Sequence, residues 1–312
     1  MAPGQPLLAL VGPTASGKTE AAIELALGSG AEIVSVDSML VYRGMDVGTA
    51  KPTPAERDRV PHHLIDLAEP SESFSVARYQ ALGRAALTDV GARGHRALLA
   101  GGSGLYFRAL VDALEFPGTD ATIRDELEAE ASAVGAAALY RRLAETDPAA
   151  AAKIEPGNVR RTVRALEVAA ITGRAFSSYA GAWGRYPADR VRAAGVRVAP
   201  EALRARIGVR VLAMVEGGLL EEVRGLVEGG FGGWLTSTQA IGYAEFAAHL
   251  RGRLTLDEAV ERTVSRTRQL ARRQMAWFRR DPRIRWFEAG EAGALEVLDD
   301  VGAYLAGAEG PS

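Results

Sequence analysis

The sequence contains no cysteine. Disulfides and thiolate zinc sites are therefore excluded, and a reducing, cytoplasmic setting is the expectation. Lysine is nearly as scarce: Lys18, Lys51 and Lys153 stand against 34 arginines. Where arginine has replaced lysine so widely, the lysines that survive mark positions to watch. No apolar run reaches membrane-spanning length, and Leu7–Val11 is long enough only for a strand. The N-terminus lacks a basic segment followed by a long apolar stretch, so neither a signal peptide nor a membrane span is expected. A net charge of −2 argues against a protein that coats nucleic acid indiscriminately, but leaves room for a local basic groove. No repeat period is visible. What remains is a chain of 312 residues with 47% hydrophobic and 24% charged residues, enough to bury a proper core.

The clearest signal in that chain is Gly12-Pro13-Thr14-Ala15-Ser16-Gly17-Lys18-Thr19, which matches G-x-x-x-x-G-K-[ST] in full. It lies between an apolar strand, Leu7–Val11, and a segment of helical spacing, Lys18–Leu27. Glycines let the backbone curl so that successive N–H groups face an anion, and the helix N-terminus adds positive potential. Lys18 supplies a point charge and Thr19 a hydroxyl for Mg²⁺. The motif specifies polyphosphate binding without saying which polyphosphate. Asp37 follows a second strand, Ile33–Val36, at the edge where open α/β sheets place their ligands. It can organise Mg²⁺, act as a general base or merely cap a turn. The third strand, Ala97–Ala100, runs into glycines instead of an aspartate, so no separate Walker B residue is available.

The order strand, glycine loop, helix, strand predicts an α/β fold: a P-loop NTPase-like parallel sheet core. From Asp120 the chain turns charged and alanine-rich, without a strand-like run to about Gly173. The expected organisation is a core of residues 1–118 and 191–312, interrupted by a helical insertion at 119–190. Gly48 to Pro61 is expected to be an exposed loop. Helices are predicted at Val76–Val90, Leu105–Leu114, Glu201–Glu216, Leu219–Val227 and Leu256–Phe278, with a strand at Val196–Val198. From Glu288 a terminal helix with a frayed tail is expected. Arg160, Arg161 and Arg164 share neighbouring helical faces, and a denser arginine run from Arg262 to Arg285 carries Trp277, Phe278 and Trp286 between its charges. That interleaving suits RNA backbone contacts with some stacking, although helically spaced aromatics pack into cores more often, and Trp277 is read as core. His62 and His63 beside Pro61 read as structural hydrogen-bonding residues in preference to metal ligands. Tyr42 and Tyr106 could line a pocket, with packing as the default.

Several segments taken together resemble the tRNA dimethylallyltransferase (IPP transferase) family. They are Asp37-Ser38-Met39-Leu40-Val41-Tyr42-Arg43-Gly44-Met45-Asp46-Val47-Gly48-Thr49-Ala50-Lys51-Pro52, Pro61-His62-His63-Leu64-Ile65-Asp66, Gly101-Gly102-Ser103-Gly104-Leu105-Tyr106 and Arg161-Thr162-Val163-Arg164-Ala165-Leu166-Glu167, then Ile241-Gly242-Tyr243 and Thr267-Arg268-Gln269-Leu270-Ala271-Arg272-Arg273-Gln274. They follow one another in the family's order from about residue 7 to 287. The resemblance implies that the P-loop, Gly12 to Thr19, holds the pyrophosphate of dimethylallyl diphosphate, with Arg210 as a further diphosphate ligand. It implies that Asp37 is the base on N6 of the adenosine 3′-adjacent to the tRNA anticodon, and that Thr19 organises Mg²⁺. Ser103 would meet the flipped nucleotide and Arg124 the tRNA. Asp37, Ser38, Met39 and Leu40, the stretch Arg160, Arg161, Thr162, Val163 and Arg164, and the stretch Gln239, Ala240, Ile241, Gly242, Tyr243 and Ala244 would contact tRNA. Gln239 and Ala244 stand where many relatives carry arginines. Without cysteine the zinc finger of eukaryotic relatives is impossible, which points to the bacterial type, expected to be monomeric. Two other activities fit the same motifs: prenyl transfer to AMP or ADP, and phosphoryl transfer by a P-loop small-molecule kinase.

Overall fold

Residues 6–307 are described by a computed structural model. They divide into two compact units, one formed by the chain up to Asp112 together with Tyr186 onward, the other by Ala113–Arg185. The first unit is built on six parallel strands, β1 (Leu7–Val11), β2 (Ala31–Ser35), β3 (His62–His63), β4 (Arg96–Gly101), β5 (Val191–Val198) and β6 (Ile284–Ala289). Their spatial order is β3-β2-β4-β1-β5-β6. The interior strands are continuous apolar runs, as strands covered on both faces must be: β1 is buried along its whole length. One face of the sheet packs Leu8, Leu10, Leu98 and Val196 against Ile23 and Ala26 of helix Lys18–Ser29 and Val301 and Leu305 of helix Leu298–Ala306. Helix Val76–Ala92 lies against β2 and β4, and its Tyr79 hydroxyl donates to the Ser35 carbonyl (2.8 Å). Because every strand is parallel and the chain leaves β1 for both sides of the sheet, the loops after β1, β2 and β4 meet at one edge.

The predicted P-loop helix extends two residues further, to Ser29, and ends on Gly30 in the left-handed conformation (φ 64). Helix Leu256–Phe278 has the predicted bounds, opened by a capping box between Thr255 and Glu258. Four expectations need correction. β5 begins at Val191, five residues before the strand expected at Val196. Gly48 to Pro61 is not a plain exposed loop: Lys51 is buried, and Pro54–Arg59 is a helix capped by Thr53 and Glu56. Glu288 does not open a helix; it belongs to β6, the edge strand beside β5, and the terminal helix starts at Leu298. The tail at 308–312 lies outside the described residues. Finally, the arginine run loses Trp286 and Arg283 to the structure. Trp286 sits on β6 with the Arg197 guanidinium 5.1 Å from its ring centre, and Arg283, 3% exposed, is clamped between Asp112 and Asp281. Trp277 packs on Gly104, where even a methyl group would collide with its ring.

The second unit is helical, with helices Ala121–Val134, Ala136–Thr146, Pro148–Ala151 and Val159–Thr172 closing on Leu127, Leu139, Leu143, Val163 and Leu166. Glu167 is buried at its centre and accepts from the Asp120 N–H (3.0 Å), Arg124 (2.9 Å) and Arg164 (2.7 Å). Burial alone would raise its carboxyl, but those three donors outweigh it and hold the group below the usual carboxylate range.

Candidate active site

The loop after β1 is held from three sides. Ala15 (φ 63) and Gly17 (φ 82) are left-handed, which curls the backbone so that its N–H groups can converge on one anion. An L side chain tolerates that conformation at a cost, so Ala15 is strained and Gly17 is not. Arg206 braces the loop from outside, donating to the Ala15 and Glu291 carbonyls (both 2.8 Å). From the far side Gln274 accepts the Thr14 N–H (2.8 Å), and Lys18 reaches across the loop to the Pro13 carbonyl (2.8 Å). Neither Arg206 nor Gln274 was assigned a role by sequence reasoning. Gln274 closes the last of the quoted motifs and could have been noticed there; Arg206 carries no local signal.

Asp37 stands two residues past β2. One carboxylate oxygen accepts the Met39 N–H (2.9 Å), and its other oxygen has no protein donor among the described residues. Two cavities open at this edge of the sheet. The larger, about 1020 Å³, runs from Gly17, Lys18 and Thr19 past Asp46 to Pro52 and helix Pro200–Glu216. The smaller and deeper one is lined by Asp37, Leu40, Gly101 and Gln274. Lys18, Thr19 and Arg210 line both, so the two cavities adjoin at the cations.

The electrostatics of that junction are unbalanced. Burial pulls Lys18 down to about 8 against the attraction of Asp37, and repulsion from Arg210 adds to the fall. Burial likewise lowers Arg210, with Asp37 opposing and Arg206 assisting. Two desolvated cations share one carboxylate, which is the arrangement an incoming polyanion relieves. Binding of a diphosphate should therefore raise the Lys18 value. Below pH 8 Lys18 is charged with or without ligand and affinity should be flat. Above it the free protein must take up a proton to bind, so affinity should fall by up to tenfold per pH unit. Titration with inorganic diphosphate between pH 7 and 9 checks this, and a constant dissociation constant would contradict it.

The remaining sequence-assigned residues fall into two groups. Ser38, Met39 and Leu40 are half-buried beside Asp37, and Gln239, Arg160, Arg161 and Ala244 are exposed. Ser103 caps helix Gly104–Val111 and donates its own N–H to the Val36 carbonyl (3.0 Å). By contrast, Thr162, Val163, Ala240, Gly242 and Tyr243 are buried. Tyr243 donates to Glu222 (2.6 Å), whose carboxylate also accepts the N–H groups of Asp46, Val47 and Gly48 (2.8, 2.8 and 3.1 Å). That residue, invisible as a motif, fixes the wall of the larger cavity. Arg124 and Arg164 are committed to Glu167. His62 bonds to the Val60 carbonyl (2.7 Å) and His63 to Glu32 (2.5 Å), and no cluster of three metal-ligating His, Asp or Glu side chains occurs among the described residues. Tyr42 is buried and donates to Thr236 (2.5 Å), and Tyr106 stacks on Tyr79 with ring centres 3.9 Å apart, so both are packing residues.

A parallel sheet with a glycine-rich loop after an interior strand, and two cations beside a strand-end carboxylate, are the architecture of a P-loop-like α/β protein. The chain belongs to the IPP transferase family, whose model matches residues 40–281. It is 52% identical over 293 residues to a tRNA dimethylallyltransferase of Kineococcus radiotolerans, covering 92% of each chain. Among solved structures it is similar to the full-length tRNA isopentenylpyrophosphate transferase of Bacillus halodurans, with a TM-score of 0.70 at 40% identity, covering 97% of this chain and 96% of that one. It also resembles a eukaryotic dimethylallyltransferase captured acting on tRNA, with a TM-score of 0.79 at 25% identity, covering 97% of this chain and 77% of that one.

Proposed function

We propose that this protein transfers a dimethylallyl group from dimethylallyl diphosphate to N6 of the adenosine 3′-adjacent to the anticodon of tRNA, releasing diphosphate. The observation that carries the reading is the junction of Lys18, Arg210 and Thr19 with Asp37, where an anion site and a carboxylate share one deep cavity. An exocyclic adenine amine is a poor nucleophile because its lone pair is delocalised into the ring. The allylic donor compensates, since its C–O bond can break early to a delocalised cation. The protein then has to stabilise charge growing on the diphosphate and hold the amine in line. The P-loop amides, Lys18 and Arg210 serve the first need. Asp37 serves the second: as the N–C bond forms and the C–O bond breaks, it takes the N6 proton.

Mg²⁺ fits this site, because the Thr19 hydroxyl offers a hard oxygen donor, and a diphosphate with waters would complete the shell. When bound it would neutralise diphosphate charge. The base must leave the anticodon stack to reach Asp37, which is cheapest for a single-stranded loop nucleotide. The exposed Arg160 and Arg161 are suited to contact RNA phosphates. No helix among the described residues is long and apolar enough to cross a membrane, and we read the protein as a cytoplasmic monomer.

The test is mass spectrometry of undermodified tRNA incubated with the protein, dimethylallyl diphosphate and Mg²⁺, with AMP as a competing acceptor. A mass gain on tRNA alone supports the reading. A gain on AMP favours adenylate prenylation, and ATP consumption without an allylic donor would favour a small-molecule kinase.

A further inference from the structure

Helix Leu256–Phe278 contributes one uncharged polar side chain, Gln274, to the lining of the inner cavity. Its orientation is chemically determined. The Thr14 N–H points at the carboxamide, and only the oxygen can answer a donor, so Oε1 faces the P-loop. The NH₂ therefore lies on the opposite side, against Gly102, in the space a Cβ there would need. A side chain at position 102 would push it away. No residue among the described ones accepts from this NH₂. Asp37 lines the same cavity with the complementary gap, a carboxylate oxygen lacking a donor. A carboxamide and a carboxylate thus line one small space, each with a polar atom that no described residue engages.

From this pairing we infer that Gln274 selects the acceptor base: its NH₂ donates to a ring nitrogen flanking the exocyclic amine of adenine, N1 or N7, while Asp37 accepts from the amine itself. The inference rests on the prenyl-transfer reading above. Adenine offers donor and acceptor side by side on both edges that carry N6, whereas guanine presents its O6 acceptor where Asp37 requires a donor. Gln274 would be a specificity residue that also ties base recognition to the P-loop, since the same carboxamide holds the Thr14 amide.

The experiment uses anticodon stem–loop RNAs carrying adenosine, 1-deazaadenosine or 7-deazaadenosine at the acceptor position, with the full-length protein and its Gln274→Glu and Gln274→Met variants. Glutamate keeps an oxygen for the Thr14 N–H but removes the donor. Methionine removes both without adding charge, and covers the case in which the added carboxylate disturbs the site. The expected result is that the unsubstituted protein loses about five- to tenfold in kcat/KM with one of the two deaza analogues, the value of one neutral hydrogen bond. Each variant should lose at least as much with adenosine and show no further loss with that analogue. Equal use of all three RNAs by the unsubstituted protein, or losses from variant and analogue that simply multiply, would overturn the inference while leaving prenyl transfer standing. No transfer to the adenosine RNA would overturn both.

Discussion

Asp37→Asn is expected to lower the single-turnover rate of prenyl transfer by roughly 10²–10⁴-fold, the usual contribution of a positioned general base. The substitution is well suited to isolating chemistry from structure. Asparagine keeps an oxygen where the Asp37 carboxylate accepts the Met39 N–H, so the turn after β2 should persist and RNA affinity should stay within a few-fold. One electrostatic side effect must be separated from the loss of the base. The Asp37 charge supports the Lys18 ammonium against burial, and without it the Lys18 value, already down to about 8, should fall further. At neutral pH and above, the variant would then lose diphosphate affinity as well as its base. Measured under saturating donor at pH 6 to 6.5, where Lys18 remains protonated in both proteins, the rate difference reports the base alone. An undiminished rate there would remove Asp37 from the mechanism.

The parts of this molecule legible in its sequence are those set by local chemistry. The apolar run Leu7–Val11, the glycine loop and the helix that follows are specified by adjacent residues, and helix Leu256–Phe278 by capping box and periodicity. β6 was hidden because Arg283, Arg285 and Trp286 read as part of an RNA-binding segment. Only pairing with β5 shows that Arg283 is neutralised by two aspartates and that Trp286 packs beneath Arg197. Burial was the other blind spot. A motif places Tyr243 along the chain but not the direction of its side chain, which turns inward to Glu222, a residue 21 positions away with no motif of its own. The pairing of Gln274 with Thr14, 260 residues apart, is likewise a product of topology.

Those long-range contacts share a pattern: side chains from distant parts of the chain tie down the loops at this edge of the sheet. Arg206 and Gln274 grip the P-loop, and Glu222 gathers the amides of Asp46, Val47 and Gly48. Tyr243 lies so close over Gly48 that a methyl group there would strike its ring. Loops carrying substrate groups are mobile by default, and a phosphate cradle must hold its geometry to within about half an ångström to be effective. The sheet supplies the frame; these side chains supply the tolerance.

Lys51 is the most exacting of these ties, and Lys51→Met should cost about 2–3 kcal/mol of stability. Its ammonium is fully buried and donates to the Tyr42 carbonyl (2.5 Å), Asp46 (2.5 Å) and Asp66 (2.7 Å). Removing one partner of a buried ion pair typically costs 3–5 kcal/mol. The lower figure is expected here because Asp46 is half exposed and Arg57 continues to pair with Asp66 (2.6 Å). The pH dependence distinguishes this cause from simple loss of packing. Burial would raise the Asp66 carboxyl, but hydrogen bonds from Lys51 and Arg57 outweigh it and hold the group below its ordinary value. A carboxyl depressed in the folded state stabilises above its unfolded pKa, and that contribution disappears as pH falls through the folded value. Urea unfolding at pH 7 and again near pH 3 should therefore show the gap between the two proteins narrowing in acid. A gap that stays constant with pH would assign the loss to the missing side-chain volume and not to the stranded carboxylates.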